Sequence, residues 1–323
     1  MEHFNLTKNA STCLKGASCL LIVLHHWCSG LLGAGSDNPL VLLFTRAGGV
    51  AGVAIFFFLS SYGLTRSQLS RRDKIGTFFT KRLAKVYIPL VITNVLWLMV
   101  RYNGQGGLQA VLQVLNLSEL LDMAMWFCNV IIMCYVIFYI SIQFKSDWTK
   151  ICSMWLLILI MAVAMTKMWP HSPFYVYSLV AFPIGGMVAI LQDKMAWPGL
   201  LASVFTPVAL LLGVPMLLIH SHQNLFGANL ACCILILCLM VFAIRIQSCD
   251  STRASRCLDY IKVPMSFVGV YSYEIYLLHN KFVMLHSQFG ATRWYPLTFV
   301  VVVIPLAILL FHVDKSVNRL IAK

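Results

Sequence analysis

Charged residues are scarce in this chain, since Asp, Glu, Lys and Arg make up only 11% of its 323 residues. Soluble domains carry roughly a quarter charged residues. A water-soluble protein of this size could not cover its surface with so few charges, and the hydrophobic residues, 60% of the chain, come in blocks long enough to cross a bilayer. The sequence also lacks internal repeats and low-complexity linkers. It therefore predicts one domain over residues 1–323 and an all-α fold, a polytopic transmembrane helix bundle.

Acidic residues are especially rare, with 11 Asp and Glu against 24 Lys and Arg, which gives a net charge of +13. In a soluble protein this excess would favour nucleic-acid binding. Here the basic residues lie between apolar segments, and the sequence has no recognisable nucleic-acid-binding motif. We therefore expect membrane lipid, and no nucleic acid, among the partners. The 11 cysteines do not have zinc-site spacing, so we expect no metal.

The apolar blocks predict about ten membrane-spanning helices. Most of the 24 Lys and Arg residues fall on one side of this arrangement, above all in the loop after the second span. The positive-inside rule places that side, with both termini, in the cytoplasm. The predicted spans lie near residues 16–34, 47–64, 86–101, 123–142, 151–166, 174–191, 200–219, 229–246, 264–286 and 296–313.

The first span carries two adjacent histidines, His25 and His26, at a depth where polar groups are costly and are functional candidates. Lys15 precedes His26 by eleven residues, which places both on one stripe of a helix, about 16 Å apart along its axis. A cation at the entrance and a neutral imidazole deep inside would suit an anionic ligand with a reactive end. Histidine is also suited to proton transfer near neutral pH. The alternative is that both histidines only hydrogen-bond between helices.

The second span begins with three small residues, Gly48, Gly49 and Gly52, which permit close contact with another helix. The aromatic run Phe56–Phe58 follows. For at least two of these three phenylalanines we expect contact with lipid.

The basic loop after the second span contains Arg82 and Lys85. At this spacing the two side chains face the same way if the segment is helical. Such a pair could hold a phosphate group. Ordinary cytoplasmic charge, or contact with anionic lipid, would give the same pattern.

The ninth predicted span carries a polar stripe formed by Ser272, Tyr276 and His279. Glu274 and Lys281 share another face, about 10.5 Å apart along the axis, too far for direct pairing. Hydrogen bonding between helices would explain the stripe without any catalytic role.

Taken together and in order, these segments resemble acyltransferase family 3, a family of integral-membrane acyltransferases. The resemblance covers about residues 10–315. It rests on Lys15 and His26 in the first helix, Gly49 to Tyr62 in the second, Phe78 to Pro89 in the basic loop, Met125 to Phe127, Phe182 to Gly186, and Ser272 to His279.

The sequence departs from the family pattern at several positions. Ser61 replaces a glycine, and Lys15 and Lys85 stand where arginine is usual, which keeps the charge but loses bidentate geometry. Many members carry a Glu five residues after the tryptophan of the fourth helix, where this chain has Ile131. The resemblance therefore leaves open which group would support the histidine.

The resemblance implies transfer of an acyl group, usually acetyl from acetyl-CoA, to a hydroxyl of a carbohydrate or glycolipid. It also implies a multi-pass protein of the cell membrane, of the bacterial inner-membrane type. We hypothesise that His26 is the general base, with His25 as the alternative. Acetyl-CoA or another acyl-CoA would be bound through Lys15, Arg71, Arg72, Arg82 and Lys85. Ser60, Tyr276 and His279 would line the site or stabilise the oxyanion.

Two other functions remain compatible with the sequence. A transporter of small polar solutes or glycolipids could use the same intramembrane His and Glu residues as a proton relay. Paired discontinuous helices, which would favour a transporter, are not evident. A non-catalytic member of the fold would also fit, because the fourth-helix Glu is absent.

Overall fold

The computed structural model describes residues 6–32, 37–71, 75–101, 106–118, 121–170, 172–194, 252–290 and 292–321. In this part of the chain the structure is 87% helical and has no strand, which confirms the all-α fold class. The seventh and eighth predicted spans, 200–219 and 229–246, lie outside the described residues.

Twelve α-helices are labelled here in chain order within the described ranges. They are α1 (Lys8–Trp27), α2 (Pro39–Leu43), α3 (Gly49–Arg71), α4 (Ile75–Arg101), α5 (Gly107–Val114), α6 (Trp126–Ser141), α7 (Asp147–Met168), α8 (Ala181–Leu191), α9 (Thr252–Val270), α10 (Ser272–Phe289), α11 (Tyr295–Thr298) and α12 (Ile304–Ile321). Short π-helical segments at Cys28–Leu32, Phe44–Gly48 and Phe299–Val303 adjoin α1, α3 and α12.

Five helical segments of the described chain are long and apolar enough to cross a membrane. Each matches one of the ten predicted spans. The segments are Pro39–Ser70, Phe79–Arg101, Met123–Ser141, Asp147–Met168 and Tyr295–Arg319. The total of ten spans and the cytoplasmic position of the termini stay predictions.

Helix α1 lies at the centre of the described bundle and packs against α3, α9 and α10. The first turns of α3 can approach α1 closely because they carry glycine. A Cβ atom on Gly52 would lie 2.8 Å from the carbonyl oxygen of Ser18, and one on Gly49 would lie 2.8 Å from Cδ2 of His25. The predicted close contact through the glycine face is thus confirmed, and Gly49 provides the space for the His25 ring.

The prediction of one continuous helix over the ninth span, 264–286, was wrong. The structure divides it into α9 and α10 at Tyr271, whose φ of −104° and ψ of 13° are not helical. On the α9 side of this break, Gly269 lies so close to α1 that a Cβ atom there would overlap the carbonyl oxygen of Thr12.

The expected lipid contact of Phe56–Phe58 was also wrong. Phe57 is 0% exposed and Phe58 is 6% exposed, while Phe56 is partly buried. The physical reason is the position of α3, which packs against both α1 and α8 and so has little surface left for lipid. These rings belong to the interior of the bundle.

Candidate functional site

Two cavities of the described bundle contain predicted site residues, and the first is lined by both histidines of α1. This histidine cavity has a volume of about 350 Å³. Its walls come from α1, the segment Phe44–Gly48 with the start of α3, the residues around the start of α6, the segment before α8 and the middle of α10. The lining residues used below are His25, His26, Arg46, Gly49, Trp126, Phe127, Tyr177, Tyr276 and Asn280.

The second cavity is larger, about 620 Å³, and collects basic side chains from three helices. Lys15 comes from α1, Arg82 and Lys85 from α4, and Lys315 and Arg319 from α12. Two acidic residues, Glu274 and Asp314, also line it, so this basic cavity keeps an excess of positive charge.

Helix α4 explains why the predicted phosphate-binding pair reaches the basic cavity. The helix begins at Ile75, so Arg82 and Lys85 are helical and one turn apart, as the sequence interpretation required. Lys315 and Arg319 also face the cavity. The predicted topology counts both only among the cytoplasmic charges. Arg71 ends α3, but its side chain is not described, and Arg72 lies outside the described residues.

Lys15 lies just before the first predicted span, which begins at residue 16. Burial lowers the pKa of its ammonium group, and the neighbouring charges of Arg82 and Lys85 lower that pKa further. Three cations therefore crowd one end of the basic cavity. A bound anion would relieve their repulsion.

The hydrogen bonds of His26 define its protonation. Nδ1 of His26 lies 3.1 Å from the carbonyl oxygen of Ile22 and 3.0 Å from Nε2 of His279. Nδ1 of His279 lies 2.7 Å from the carbonyl oxygen of Tyr276, which can only accept, so His279 is protonated there and its Nε2 is an acceptor. The neutral pair is satisfied when the His26 Nδ1–H donates to both acceptors. This assignment leaves the lone pair of His26 on Nε2, for which the described part of the chain supplies no hydrogen-bond partner.

His25 has a different setting although it lines the same cavity. Its Nδ1–H donates to the carbonyl oxygen of Phe44 at 3.2 Å, and its ring fits into the space beside Gly49. The contact ties α1 to the π-helical turn before α3. The two adjacent rings meet edge to face, with centroids 4.9 Å apart.

The other predicted site residues lie in three places. Tyr276 lines the histidine cavity. Its hydroxyl donates to the carbonyl oxygen of Ala124, so this proton is not available to a ligand in the same arrangement. His279 is fully buried and contacts His26 directly. Ser60 lines the basic cavity.

A buried polar cluster beside these residues was missed in the sequence analysis. The side chain of Asp122 is 0% exposed and lies 3.3 Å from Nζ of Lys281, itself 3% exposed. The carboxylate also accepts hydrogen bonds from Asn280 Nδ2 at 2.5 Å and from the backbone N–H of Ala124 at 2.9 Å. Asp122 thus joins the segment before α6 to the two residues that follow His279. An acid shortly before the tryptophan-containing helix, paired with the intramembrane lysine, was the available signal.

Phe127 separates the two cavities and is the only described residue that lines both. Its ring packs against Phe57 and Tyr276, with centroids 5.1 and 5.5 Å away. Lys15 and His26 do lie on one continuous helix, as predicted, but Lys15 faces the basic cavity and His26 the histidine cavity. A ligand that occupies both cavities would therefore contact Phe127. No cluster of three or more His, Cys, Asp or Glu side chains suited to a metal ion occurs in the described ranges.

Comparison with protein families identifies the family of the chain. Residues 9–312 match the family model described as an acyltransferase domain. The chain belongs to acyltransferase family 3. Comparisons with curated proteins and with solved structures give no significant match.

Membership of acyltransferase family 3 supports an acyltransferase function and, with the apolar helices, a membrane protein. The position at which many members carry the fourth-helix Glu can now be located in the structure. Ile131 lies in the basic cavity, whereas the ring partner of His26 is His279. Among the described residues, the histidine pair is an arrangement suited to acid–base chemistry.

Proposed function

We propose that the protein transfers an acetyl group from acetyl-CoA to a hydroxyl of a carbohydrate or glycolipid at the cell membrane. The observation that carries the proposal is the hydrogen bond between His26 Nδ1 and His279 Nε2. It leaves Nε2 of His26 unprotonated, and His26 lines the histidine cavity, which adjoins the basic cavity at Phe127. Family membership supplies the acyl-transfer chemistry.

The basic cavity is suited to the phosphates of the donor. Arg82 and Lys85 are one helical turn apart, and Lys15 approaches them from α1. Guanidinium and ammonium groups form charge-assisted hydrogen bonds with phosphate oxygens. The thioester end of the donor then extends toward Phe127, the boundary with the histidine cavity.

Proton transfer falls to His26. Its Nε2 accepts the proton of the acceptor hydroxyl while the hydroxyl oxygen bonds to the thioester carbon. When the tetrahedral intermediate collapses, the carbon–sulfur bond breaks, and the CoA sulfur receives that proton from His26. The products are the acetyl ester and CoA thiol, and the histidine returns to its starting state.

His279 positions the base and stabilises its charged form. Once His26 has taken the proton, its Nδ1–H becomes a charged donor to Nε2 of His279, and such hydrogen bonds are stronger than neutral ones. His279 itself is held by the Tyr276 carbonyl. The Nδ1–H of His25 donates to the Phe44 carbonyl, whereas that of His26 reaches the ring nitrogen of His279, and this difference favours His26 as the base.

The test is acetyl transfer by the purified protein in lipid nanodiscs, with labelled acetyl-CoA and a panel of glycans. His26→Gln keeps a polar side chain of similar length but cannot act as the base, so we expect kcat to fall about 10²- to 10⁴-fold. CoA binding should stay unchanged. His312→Gln, an exposed histidine on α12, is the matched control and should behave as wild type.

Undiminished transfer by His26→Gln would remove the proposed base. Parallel loss of CoA binding would instead show that the substitution damages the fold. Solute flux without CoA turnover would favour a transporter.

A further inference from the structure

The histidine cavity has one permanent charge, and it is positive. Among the described residues that line the cavity, Arg46 is the only Lys or Arg, and none is Asp or Glu. The nearest acid on the neighbouring segment, Asp122, is buried and paired with Lys281. Arg46 therefore gives the cavity its fixed positive charge, and His26 is neutral in the hydrogen-bond arrangement above.

Arg46 forms no ion pair and no side-chain hydrogen bond with the described part of the protein. The side chain is exposed. The positive-inside rule does not explain it, because the predicted topology places Arg46, with Arg101, on the side that is poor in Lys and Arg.

The local structure holds Arg46 beside the imidazoles. It lies in the π-helical turn Phe44–Gly48, a rare element that is frequent at functional sites. His25 donates to the Phe44 carbonyl in this turn, so the turn is fixed to α1 next to His26. Arg46 and the proposed base therefore face one cavity from two connected segments.

Aromatic side chains form part of the remaining wall. Trp126 is held edge to face by Phe174 and Tyr175, with centroids 5.7 and 5.3 Å away, and the buried Tyr177 also lines the cavity. A volume of about 350 Å³ is within the usual range for small-molecule sites, which combine apolar walls with a few orienting polar groups. A planar guanidinium among such walls selects carboxylate or phosphate through paired hydrogen bonds.

We propose that the acceptor is anionic: a hydroxyl-bearing sugar unit with a carboxylate or phosphate that Arg46 binds while His26 faces the hydroxyl. This inference rests on the proposed function, because it takes the histidine cavity as the acceptor site. Arg46 is then the residue that determines specificity, and a neutral sugar of the same shape is a poorer ligand.

Binding tests the inference without turnover. The protein is embedded in phosphatidylcholine nanodiscs and titrated by calorimetry with methyl glucuronide, glucose 6-phosphate and methyl glucoside. We expect an anionic probe to bind at least about 10-fold more tightly than the glucoside, the effect of a hydrogen bond to a charged group. Arg46→Gln should lose this preference, and Arg46→Lys should keep part of it. The uronate and phosphate arms distinguish the two sources of negative charge.

Arg101→Gln is the matched control, since Arg101 is exposed on the same predicted side and packs over Trp97 away from both cavities. Equal binding of charged and neutral probes by wild type, or an unchanged preference in Arg46→Gln, overturns the inference. So does a preference that is lost in nanodiscs with anionic lipid, because Arg46 would then serve lipid contact.

Acetyl transfer to the same probes separates the two proposals. Transfer to all probes without a charge preference contradicts the anionic acceptor and leaves the acetyltransferase proposal intact. Selective binding of anions without any acetyl transfer supports the site and contradicts the proposed reaction.

Discussion

Replacing His279 by phenylalanine tests the support of the base by its neighbour. The substitution keeps an aromatic ring in a fully buried position and removes the acceptor that lies 3.0 Å from His26 Nδ1. The carbonyl of Ile22, 3.1 Å from the same nitrogen, still accepts the Nδ1–H. The ground state therefore loses little, and the cost falls on the protonated form of His26.

The size of the effect follows from the change in hydrogen-bond strength. A neutral hydrogen bond contributes about 0.5–1.5 kcal/mol and one to a charged group about 1.5–3 kcal/mol, so the transition state loses roughly 1–2 kcal/mol more than the ground state. This corresponds to a decrease in kcat of about 5- to 30-fold. The KM for acetyl-CoA should not change, since His279 lines neither cavity.

The assay is single-turnover acetyl transfer at saturating donor and acceptor, with CoA affinity measured in parallel. His279→Gln, which can again present an acceptor, should recover part of the rate. His286→Phe, two helical turns further along α10 and packed against Tyr295, is the control and should match wild type. A His279→Phe protein with full kcat, or one whose loss appears in CoA affinity instead, would refute the reasoning.

Three further predictions follow from the same contacts. Asp122→Asn leaves Lys281 as a buried unpaired charge, so thermal melting in detergent should show a loss of stability of about 3–5 kcal/mol, while the double variant with Lys281→Met should regain much of it. Gly49→Ala places a methyl group 2.8 Å from Cδ2 of His25, and we expect about 1–3 kcal/mol of destabilisation together with slower transfer; a fully active, stable variant would contradict the packing. Arg82→Gln should weaken acetyl-CoA binding about 10-fold or more with little change in kcat, as measured by equilibrium binding and steady-state kinetics; unchanged affinity would disprove the donor-site assignment.

Local features of the site could be read from the sequence. The spacing of Lys15 and His26 predicts their relative positions on any regular helix, and α1 is continuous through both residues. Arg82 and Lys85 needed only a helical segment to share a face, and α4 provides it. Helical periodicity is a short-range property, so it survives whatever the helix packs against.

Features that depend on packing between helices could not be read in this way. Phe57 stands in a run typical of a lipid-facing helix, and only the placement of α3 between α1 and α8 shows that it is buried. The break at Tyr271 accompanies the close approach of Gly269 to α1. Both are set by neighbouring helices, whose register the sequence does not specify.

The polar contacts of the site are also long-range. His279 is 253 residues from His26, and Asp122 is 159 from Lys281. Each pair needs two helices in a defined register before the side chains meet. The polar stripe on α10 indicated that partners exist, but the division into two cavities at Phe127 required the assembled bundle.

The central claim is that the donor bound in the basic cavity reaches His26 past Phe127. A cryo-electron microscopy structure with a non-transferable acetyl-CoA analogue measures this directly. The account predicts phosphates against Arg82 and Lys85, a displaced Phe127 ring, and the acyl group in the histidine cavity, where an acceptor oxygen held by His26 Nε2 would lie about 3–3.5 Å from the acyl carbon. An analogue whose acyl group stays in the basic cavity with Phe127 in place, or points away from His26, would contradict it.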